Sequence, residues 1–414
     1  MSPSDAGQLL ELISTSLATV EKSCETRGLN IPNLDELYHP ASEAFRYGDP
    51  VAAEAADIIG AAALHLAAIF LPPQVTLYQA VGGLFKSAAI RVCLESNVTE
   101  ILREAGPEGM HVDDIGTKNG QDPQKLGRFL RSLANNHIYR EVKPNVFSNT
   151  RISSLLDTLK PSEQLLANLD ETFKAAAYAW ESLSDPTTSR SSEPTDTPLS
   201  RAMGVKGTMW EIFARPENAF RARRFNIGMR GVRALQPIDA SLDAFDWKSL
   251  SDGAVVIDVG GGLGTSALPI TRDFPGLRLF VQDQPSVVTE AKQLWARTMP
   301  EALESGRVVF EVQDFFKPQA TSRNISVFLL KAVLHNWSDE YSVRILTNLR
   351  AAAGPDTKLV LMETIIPCTC HDPFEKERNI PGASSRQAPA PLLANFGAVA
   401  DLGYQADIAA SPVV

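Results

Sequence analysis

The chain has 414 residues, which is long for a single core and predicts two or three structural units. With 44% hydrophobic and 21% charged residues, it has the composition of a soluble globular protein. The formal net charge of −10 and the pI near 5.2 disfavour a nucleic-acid partner, because binding to a phosphate backbone needs a basic face.

No targeting or metal-binding pattern stands out. The N-terminus lacks a basic region followed by an unbroken apolar run, so we expect no secretory signal. The longest apolar stretch, residues 61–72, is shorter than the ~20 residues of a membrane span, which predicts a buried helix and no membrane partner. The four cysteines are scattered, which favours the reducing cytoplasm. Cys368, Cys370 and His371 lack the spacing and the second ligand pair of a zinc site, so we expect no metal.

The N-terminal half is predicted to be mainly helical. Helical periodicity alternates with turn signals over residues 1–76, which predicts an N-terminal helical region. Residues 77–182 have the order of a winged helix, in which an amphipathic helix at 125–133 precedes a two-stranded wing at 138–142 and 146–148. Without a basic recognition face, such a unit is more typical of packing or dimerisation than of DNA binding.

The spacing of apolar residues changes in the C-terminal half of the chain. Residues 183–206 are rich in Ser, Thr and Pro and predict a linker. After a helical stretch at 207–235, short apolar strands alternate with helices, the signature of a parallel α/β sheet. We therefore predict a Rossmann-like α/β domain over 207–414, with a loop-like segment at 368–391 and a final helix-prone run at 392–408.

The sharpest motif is the sequence VVIDVGGGLGTS at residues 255–266, where an apolar strand ends in Asp258 and a glycine cluster before a helix begins. Glycine lets a backbone turn tightly and approach a ligand, and open α/β sheets bind ligands at the carboxyl ends of their strands. A single glycine loop is weak evidence, because strand-to-helix turns need glycine for geometry alone. The candidate ligand contacts here are Gly260, Gly261, Gly262 and Gly264.

The next strand narrows the choice of ligand. Residues 277–283 end in Asp283, an acid placed to accept hydrogen bonds from ribose hydroxyls. Such an acid suits both a dinucleotide and S-adenosylmethionine. The glycines do not form G-x-G-x-x-G from Gly260 or from Gly262, and this disfavours a dinucleotide phosphate site.

A third strand, residues 308–312, leads into Asp314 and Phe315. A carboxylate and an aromatic ring at this point could hold the amino group and the ring face of an adenine. The competing interpretation of Asp314 is a helix or turn cap.

The last two predicted strands carry the candidate catalytic pair. Residues 327–330 run towards His335, and histidine is the side chain whose ordinary pKa best suits a general base near neutral pH. Residues 358–363 bring Glu363 to the same edge of the sheet, where it could orient the imidazole. The alternatives are a structural histidine and a salt-bridge partner at the strand end.

Taken in order, the motifs DVGGGLG, QDQPSVV, QDFF, LLKAVLHNWSD and LVLMETIIP resemble class I S-adenosylmethionine-dependent O-methyltransferases of the caffeic acid type, especially fungal secondary-metabolite enzymes, over residues 77–408. The resemblance implies methyl transfer to a hydroxyl of a small, aromatic, polyketide-like acceptor and a homodimer formed by the winged-helix region. It also implies that His335 accepts the proton and that Glu363 orients it. The implied cofactor contacts are Asp258, Gly260, Gly261, Gly262, Gly264, Asp283, Asp314, Phe315 and Lys331.

The same resemblance suggests acceptor contacts. Met229 falls in the segment similar to the family's acceptor-clamping helix, and Phe129 or His137 would line the far wall. The competing interpretations are core packing for Met229 and Phe129 and a turn cap for His137.

Two departures from the family leave other functions open. Family members usually continue past the helix-prone run with a Gly-x-Glu-Arg-Thr segment, another helix and a strand pair, so we expect a C-terminally incomplete catalytic domain. Asn336 stands where many members carry Asp. The alternatives to methyl transfer are a cyclase or pericyclase of the same fold that binds S-adenosylmethionine, and a non-catalytic homologue.

Overall fold

The structure, a computed structural model, describes residues 4–158, 169–225, 239–320, 323–371, 374 and 386–410. The chain forms two compact units. The first, called the helical unit here, comprises Met1–Asp170, Arg223–Val232 and Ile366–Gln405. The second, called the sheet unit, comprises Glu171–Ala222, Arg233–Ile365 and Ala406–Val414.

The regular elements follow one another along the chain. The helices are α1 Asp5–Arg27, α2 Ala44–Tyr47, α3 Pro50–Phe70, α4 Pro73–Val81, α5 Gly83–Glu95, α6 Val98–Ala105, α7 Val112–Asn119, α8 Pro123–Ala134, α9 Leu169–Ala177, α10 Ala179–Ser184, α11 Pro198–Met203, α12 Met209–Phe213, α13 Ala240–Asp243, α14 Ala267–Asp273, α15 Pro285–Thr298, α16 Pro300–Glu304, α17 Asp339–Ala352 and α18 Asp401–Ala410. The strands are β1 Met110–His111, β2 Tyr139–Lys143, β3 Val146–Asn149, β4 Val255–Val259, β5 Arg278–Asp283, β6 Val308–Val312, β7 Ile325–Lys331 and β8 Lys358–Met362. Short 3-10 turns lie at Pro40–Glu43, Ser153–Leu156, Pro216–Asn218, Trp247–Ser249, Leu334–Asn336 and Gly397–Ala400.

Two long helices, α1 and α3, pack along each other in the helical unit. Helix α3 begins after Asp49, whose carboxylate accepts hydrogen bonds from the first free backbone N–H groups of the helix. The sequence-based expectation of a buried helix at 61–72 is wrong. The helix spans Pro50–Phe70, is long and apolar enough by length and composition to cross a membrane, and leaves Leu64 and Phe70 exposed. It is only partly covered, by α1, by α2 and by the segment that includes Leu392 and Phe396.

The predicted wing is present as the antiparallel pair β2 and β3, with β1 on the other side of β3. Helices α5 to α8 and this small sheet enclose a core that includes Ile115, Leu130 and Phe147. Within it the hydroxyl groups of Tyr139 and Thr99 form a buried hydrogen bond of 2.8 Å. The bond satisfies two polar groups that would otherwise destabilise an apolar interior.

The sheet unit has the predicted Rossmann-like fold. Among the described residues it contains five parallel strands in the order β6-β5-β4-β7-β8. Successive residues of β4, β5 and β6 alternate between two hydrophobic layers, so that Val256 faces one layer and Ile257 the other. The strand order reverses beside β4, and in open α/β sheets ligands bind at the carboxyl ends of the strands at such a reversal.

Strand β8 lies at the outer end of this order. Val360 is buried, while Leu359 and Leu361 on the opposite face are each about half exposed. The strand therefore has a buried apolar side and an open apolar side in the described part of the chain.

The division into units differs from the boundaries predicted from the sequence. The Ser/Thr/Pro-rich residues 183–206 lie within the sheet unit and include α11, so they do not connect two domains. Residues 366–405 belong to the helical unit, because Leu392 and Phe396 pack in a cluster with Leu9. The predicted helix at 392–408 begins only at Asp401, after Phe396 turns the backbone with a φ of +66°.

Removing the hydroxyl of Tyr139 tests the packing of the helical unit. We expect Tyr139→Phe to lower the free energy of unfolding by about 1–2 kcal/mol, because Thr99 loses its buried partner. Tyr47→Phe makes the same change on a ring that is 76% exposed and should leave stability unaltered. Urea unfolding followed by circular dichroism measures both, and equal effects would show that the buried bond contributes nothing specific.

Candidate active site

The glycine loop after β4 forms a backbone surface without side chains. Gly260, Gly262 and Gly264 all have φ between +61° and +74°, a region that glycine adopts without strain. A Cβ on Gly261 would lie 2.5 Å from Oδ2 of the buried Asp258, which rules out a larger residue in this backbone arrangement. The loop therefore needs its glycines both for its turns and for space.

Trp295 of α15 holds the far side of this loop. Its indole N–H donates a hydrogen bond of 2.9 Å to the carbonyl of Leu263, and its ring is fully buried. A Cβ on Gly264 would lie 2.8 Å from Trp295 Nε1 and 3.1 Å from the ring of Phe310. The rings of Trp295 and Phe310 therefore pack against this side of the loop and leave no room for a methyl group at position 264.

Asp283, at the end of β5, lies beside the glycine loop. Its Oδ2 accepts a hydrogen bond of 2.8 Å from the N–H of Gly262, and its Oδ1 accepts one of 2.7 Å from Gln284. The backbone thus fixes the carboxylate at the sheet edge where the sequence predicts a ribose contact.

Asp314 and Phe315 follow β6 at the same edge. Asp314 Oδ1 accepts a hydrogen bond of 2.9 Å from the N–H of Phe316, so the turn-capping role considered from the sequence is present. The ring of Phe315 lies near the glycine loop, since a Cβ on Gly260 would be 3.7 Å from Phe315 Cε1. Asp314 is exposed, which leaves its carboxylate accessible to a ligand.

The loop after β7 carries the candidate base. Lys331 ends the strand opposite Met362 of β8, and Ala332 then turns the chain with a φ of +55°. The 3-10 turn Leu334–Asn336 follows and presents His335, whose side chain is 41% exposed. The site therefore has an accessible imidazole at the carboxyl edge of the sheet.

Glu363 ties this loop to β8. Its Oε2 lies 2.7 Å from Nδ1 of His335, and its Oε1 accepts hydrogen bonds of 2.9 and 2.8 Å from the N–H groups of Val333 and Leu334. Burial raises the pKa of Glu363, but His335 and the two backbone N–H groups lower it by more, so the pKa lies below its ordinary value. The group is a carboxylate at neutral pH, and an ionised carboxylate can only accept a hydrogen bond from Nδ1.

Two of the three suggested acceptor contacts, Phe129 and His137, belong to the helical unit. Met229 lies outside the described residues. Phe129 packs against the core of the helical unit, as its alternative interpretation proposed. His137 is exposed, has a φ of +61°, and lines a groove of about 510 Å³ on the helical unit together with Arg131 and Arg140.

Sequence reasoning missed an aromatic cluster next to the candidate base. The ring of Trp337 lies 4.7 Å from that of Phe316 and 5.8 Å from that of Phe315, and it stacks on Tyr341 at 6.0 Å. A signal existed, because Phe315, Phe316 and Trp337 all follow shortly after strand ends at one edge of the sheet. We associate these rings with the placement of His335.

Comparisons with known proteins identify the family of the chain. A family model described as an O-methyltransferase domain matches residues 180–380. The chain is 49% identical to 4-O-methyltransferase 1 of Phanerochaete chrysosporium, over 98% of this chain and 89% of that protein. It is 32% identical to 3-O-methyltransferase 2 of the same fungus, over 94% of this chain and 85% of that protein. Among solved structures, mitomycin 7-O-methyltransferase MmcR matches with a TM-score of 0.59 at 26% identity, over 72% of this chain and 82% of that one.

The crowding beneath the glycine loop can be tested with two alanine substitutions. Gly264 and Gly253 both have a positive φ, so each alanine costs about 1–2 kcal/mol in the backbone. Only the Cβ at position 264 meets a neighbour, the rigid ring of Trp295. We expect Gly264→Ala to weaken S-adenosylmethionine binding by about tenfold or more, and Gly253→Ala to leave it unchanged. Isothermal titration measures both affinities, and equal losses would contradict the role of crowding.

Proposed function

This chain belongs to the O-methyltransferase family and transfers a methyl group from S-adenosylmethionine to a hydroxyl of a secondary metabolite; we propose that His335 removes the proton of that hydroxyl. The observation that carries the proposal is the 2.7 Å contact between His335 Nδ1 and Glu363 Oε2. Since the carboxylate is already held by two backbone N–H groups, it cannot turn away without breaking them. The imidazole is therefore oriented before any acceptor binds.

The tautomer follows from this contact. Glu363 accepts the Nδ1–H of the neutral imidazole, so the lone pair that can take a proton is on Nε2. When Nε2 takes the proton of the acceptor hydroxyl, the imidazolium stays next to the Glu363 carboxylate, which stabilises its charge. Glu363 thus both orients the His335 imidazole and stabilises its protonated form.

The residues around the glycine loop suit the cofactor. Glycines 260, 261, 262 and 264 supply backbone that a ligand can approach closely, and the Asp283 carboxylate lies beside them. We propose that Asp283 holds the ribose hydroxyls and that Asp314, Phe315 and Lys331 form the adenine side of the site. Asp258, at the start of the glycine loop, is a further proposed cofactor contact. When bound there, S-adenosylmethionine supplies a methyl group made electrophilic by its sulfonium.

We propose an aromatic hydroxyl as the acceptor group. A phenol is acidic enough for a histidine to deprotonate it as the methyl group is transferred, whereas an aliphatic alcohol is far less acidic. Met229, Phe129 and His137 remain proposed acceptor contacts on family resemblance, although the position of Phe129 supports core packing. The free cysteines among the described residues support a reducing, cytoplasmic location.

Replacing the base separates chemistry from cofactor binding. We expect His335→Ala to lower turnover by roughly a hundredfold to ten-thousandfold, the usual contribution of a general base, while S-adenosylmethionine affinity stays unchanged. The probes are phenol, catechol, guaiacol and hydroquinone, with S-adenosylhomocysteine as the measured product. His371→Ala, at an exposed histidine of the helical unit, is the control.

Two outcomes would contradict the proposal. Full methylation by His335→Ala would remove the base assignment. Conversion of an acceptor without formation of S-adenosylhomocysteine would replace methyl transfer by a cyclisation.

We also propose that two copies of the chain associate through an apolar surface of the helical unit. Residues 58–85 contain no Asp, Glu, Lys or Arg. A second copy suits this surface, because a two-fold axis places the same uncharged patch on both sides and no charge is desolvated. The exposed apolar side chains that define the surface are Leu64, Ile69, Phe70, Leu71, Val75, Leu77, Tyr78, Val81, Leu84 and Phe85.

Charges on this surface should prevent association. We expect the wild type to have twice the chain mass of 44.9 kDa in sedimentation equilibrium, and Phe70→Asp/Leu77→Asp to have the mass of one chain. Leu10→Asp, at a residue of α1 that is 58% exposed and is not among those that define this surface, should remain dimeric. A monomeric wild type, or its capture by neutral phospholipid vesicles, would contradict the proposal.

A further inference from the structure

The segment at residues 185–197, called the strap here, is held by side-chain bonds within itself and to Arg201 and Lys206. Arg201 donates a hydrogen bond of 2.6 Å to Asp185, and this bond lowers the pKa of Asp185 to about 2. Ser191 donates one of 2.6 Å to Asp196, and Lys206 pairs with the same carboxylate at 3.2 Å. Although its composition is typical of a linker, the strap is an ordered loop of the sheet unit.

The strap is tied to the first turn of α17 by two hydrogen bonds that join residues 148 positions apart. Tyr341 donates its hydroxyl proton to Glu193 Oε2 at 2.7 Å, and Ser192 donates to Glu340 Oε2 at 3.2 Å. The bond to Glu193, with burial, raises the pKa of Tyr341, so the phenol keeps its proton and remains a donor. Both bonds have a carboxylate as acceptor, and the shorter one, donated by Tyr341, is the stronger of the two.

Tyr341 connects this tie to the loop that carries His335. Its ring stacks on Trp337, with an angle of 19° between the planes, and Phe316 packs edge-on against both rings. Trp337 is two residues beyond His335 in the chain. A displacement of Tyr341 would therefore move the ring against which the end of the His335 loop is packed.

The His335 loop has an anchor on each side. On its N-terminal side, the Glu363 carboxylate holds the N–H groups of Val333 and Leu334. On its C-terminal side, the stacked pair Trp337 and Tyr341 leads to the strap. Two anchors restrict the position of the turn between them more than a single anchor would. A misplacement of about 1 Å at a reacting group can lower the rate by about a hundredfold.

We propose that Glu193 is a positioning residue of the methyl transfer, acting through Tyr341 and Trp337 to hold the His335 loop in place. The proposal rests on His335 being the base. Glu193 itself touches no reacting atom, and its contribution is the acceptor oxygen that fixes the Tyr341 hydroxyl.

The test uses three variants that remove the bond: Glu193→Ala, Tyr341→Phe and the combination of the two. A fourth variant, Glu193→Gln, keeps an acceptor oxygen and is compared with them. We expect Glu193→Ala and Tyr341→Phe each to lower kcat by about tenfold with little change in KM, and the double variant to be no worse, because all three remove the bond between Tyr341 and Glu193. Glu193→Gln should stay within about twofold of the wild type. The acceptor is the hydroxybenzene among the four probes that gives the fastest wild-type turnover. Lys206→Ala is the control, because it removes an ion pair to Asp196 of the strap and keeps the bond between Tyr341 and Glu193.

Hydrogen exchange of the ligand-free protein gives a readout independent of activity. Peptides covering residues 333–341 should exchange roughly threefold to tenfold faster in Glu193→Ala and Tyr341→Phe, with β4, β5 and β7 unaltered. Unchanged exchange at 333–341, or faster exchange throughout the sheet, would overturn the proposal. If the His335 loop exchanges faster but kcat is unaffected, both the positioning role of Glu193 and the assignment of His335 as the base fail. If His335→Ala is inactive while the strap variants are normal in both readouts, only the positioning role fails.

Discussion

The carboxylate of Glu363 is the constraint on which the site depends. It accepts hydrogen bonds from two consecutive backbone N–H groups of the β7 loop and contacts the His335 imidazole. A strand-end acid thus satisfies the backbone donors of a tight turn and also sets the tautomer of His335, the proposed base. The structural and the chemical roles cannot be separated, because one carboxylate serves both, with Oε1 holding the turn and Oε2 contacting the imidazole.

Much of this was accessible from the sequence, because it follows from the pairing of neighbouring strands. The strand predicted at 308–312 has the observed bounds, and those predicted around β5, β7 and β8 differ by one or two residues. Parallel strands bring their carboxyl ends to one edge, so a histidine after β7 and an acid after β8 had to lie close together. Asp283 could be placed beside the glycine loop by the same reasoning.

What could not be predicted depends on side chains that meet across long stretches of chain. Nothing in a Ser/Thr/Pro-rich composition indicates that Glu193 meets Tyr341, 148 residues further on. Local periodicity also fails for α3, since it reports how apolar a helix is but not how many of its faces have neighbours. The boundary of the sheet unit was misplaced for a related reason: packing assigns residues 366–405 to the helical unit, and the linear order of motifs does not.

The open apolar side of β8 also bears on how the protein behaves in concentrated solution. Leu359 and Leu361 belong to β8, and the outer edge of this strand has no neighbouring strand among the described residues. Exposed strand edges of this kind act as templates for intermolecular strand addition and aggregation. Glu363 directly follows β8, so self-association along this edge would pull on the carboxylate that orients the imidazole. Colloidal stability and catalytic competence are in this way linked through one strand.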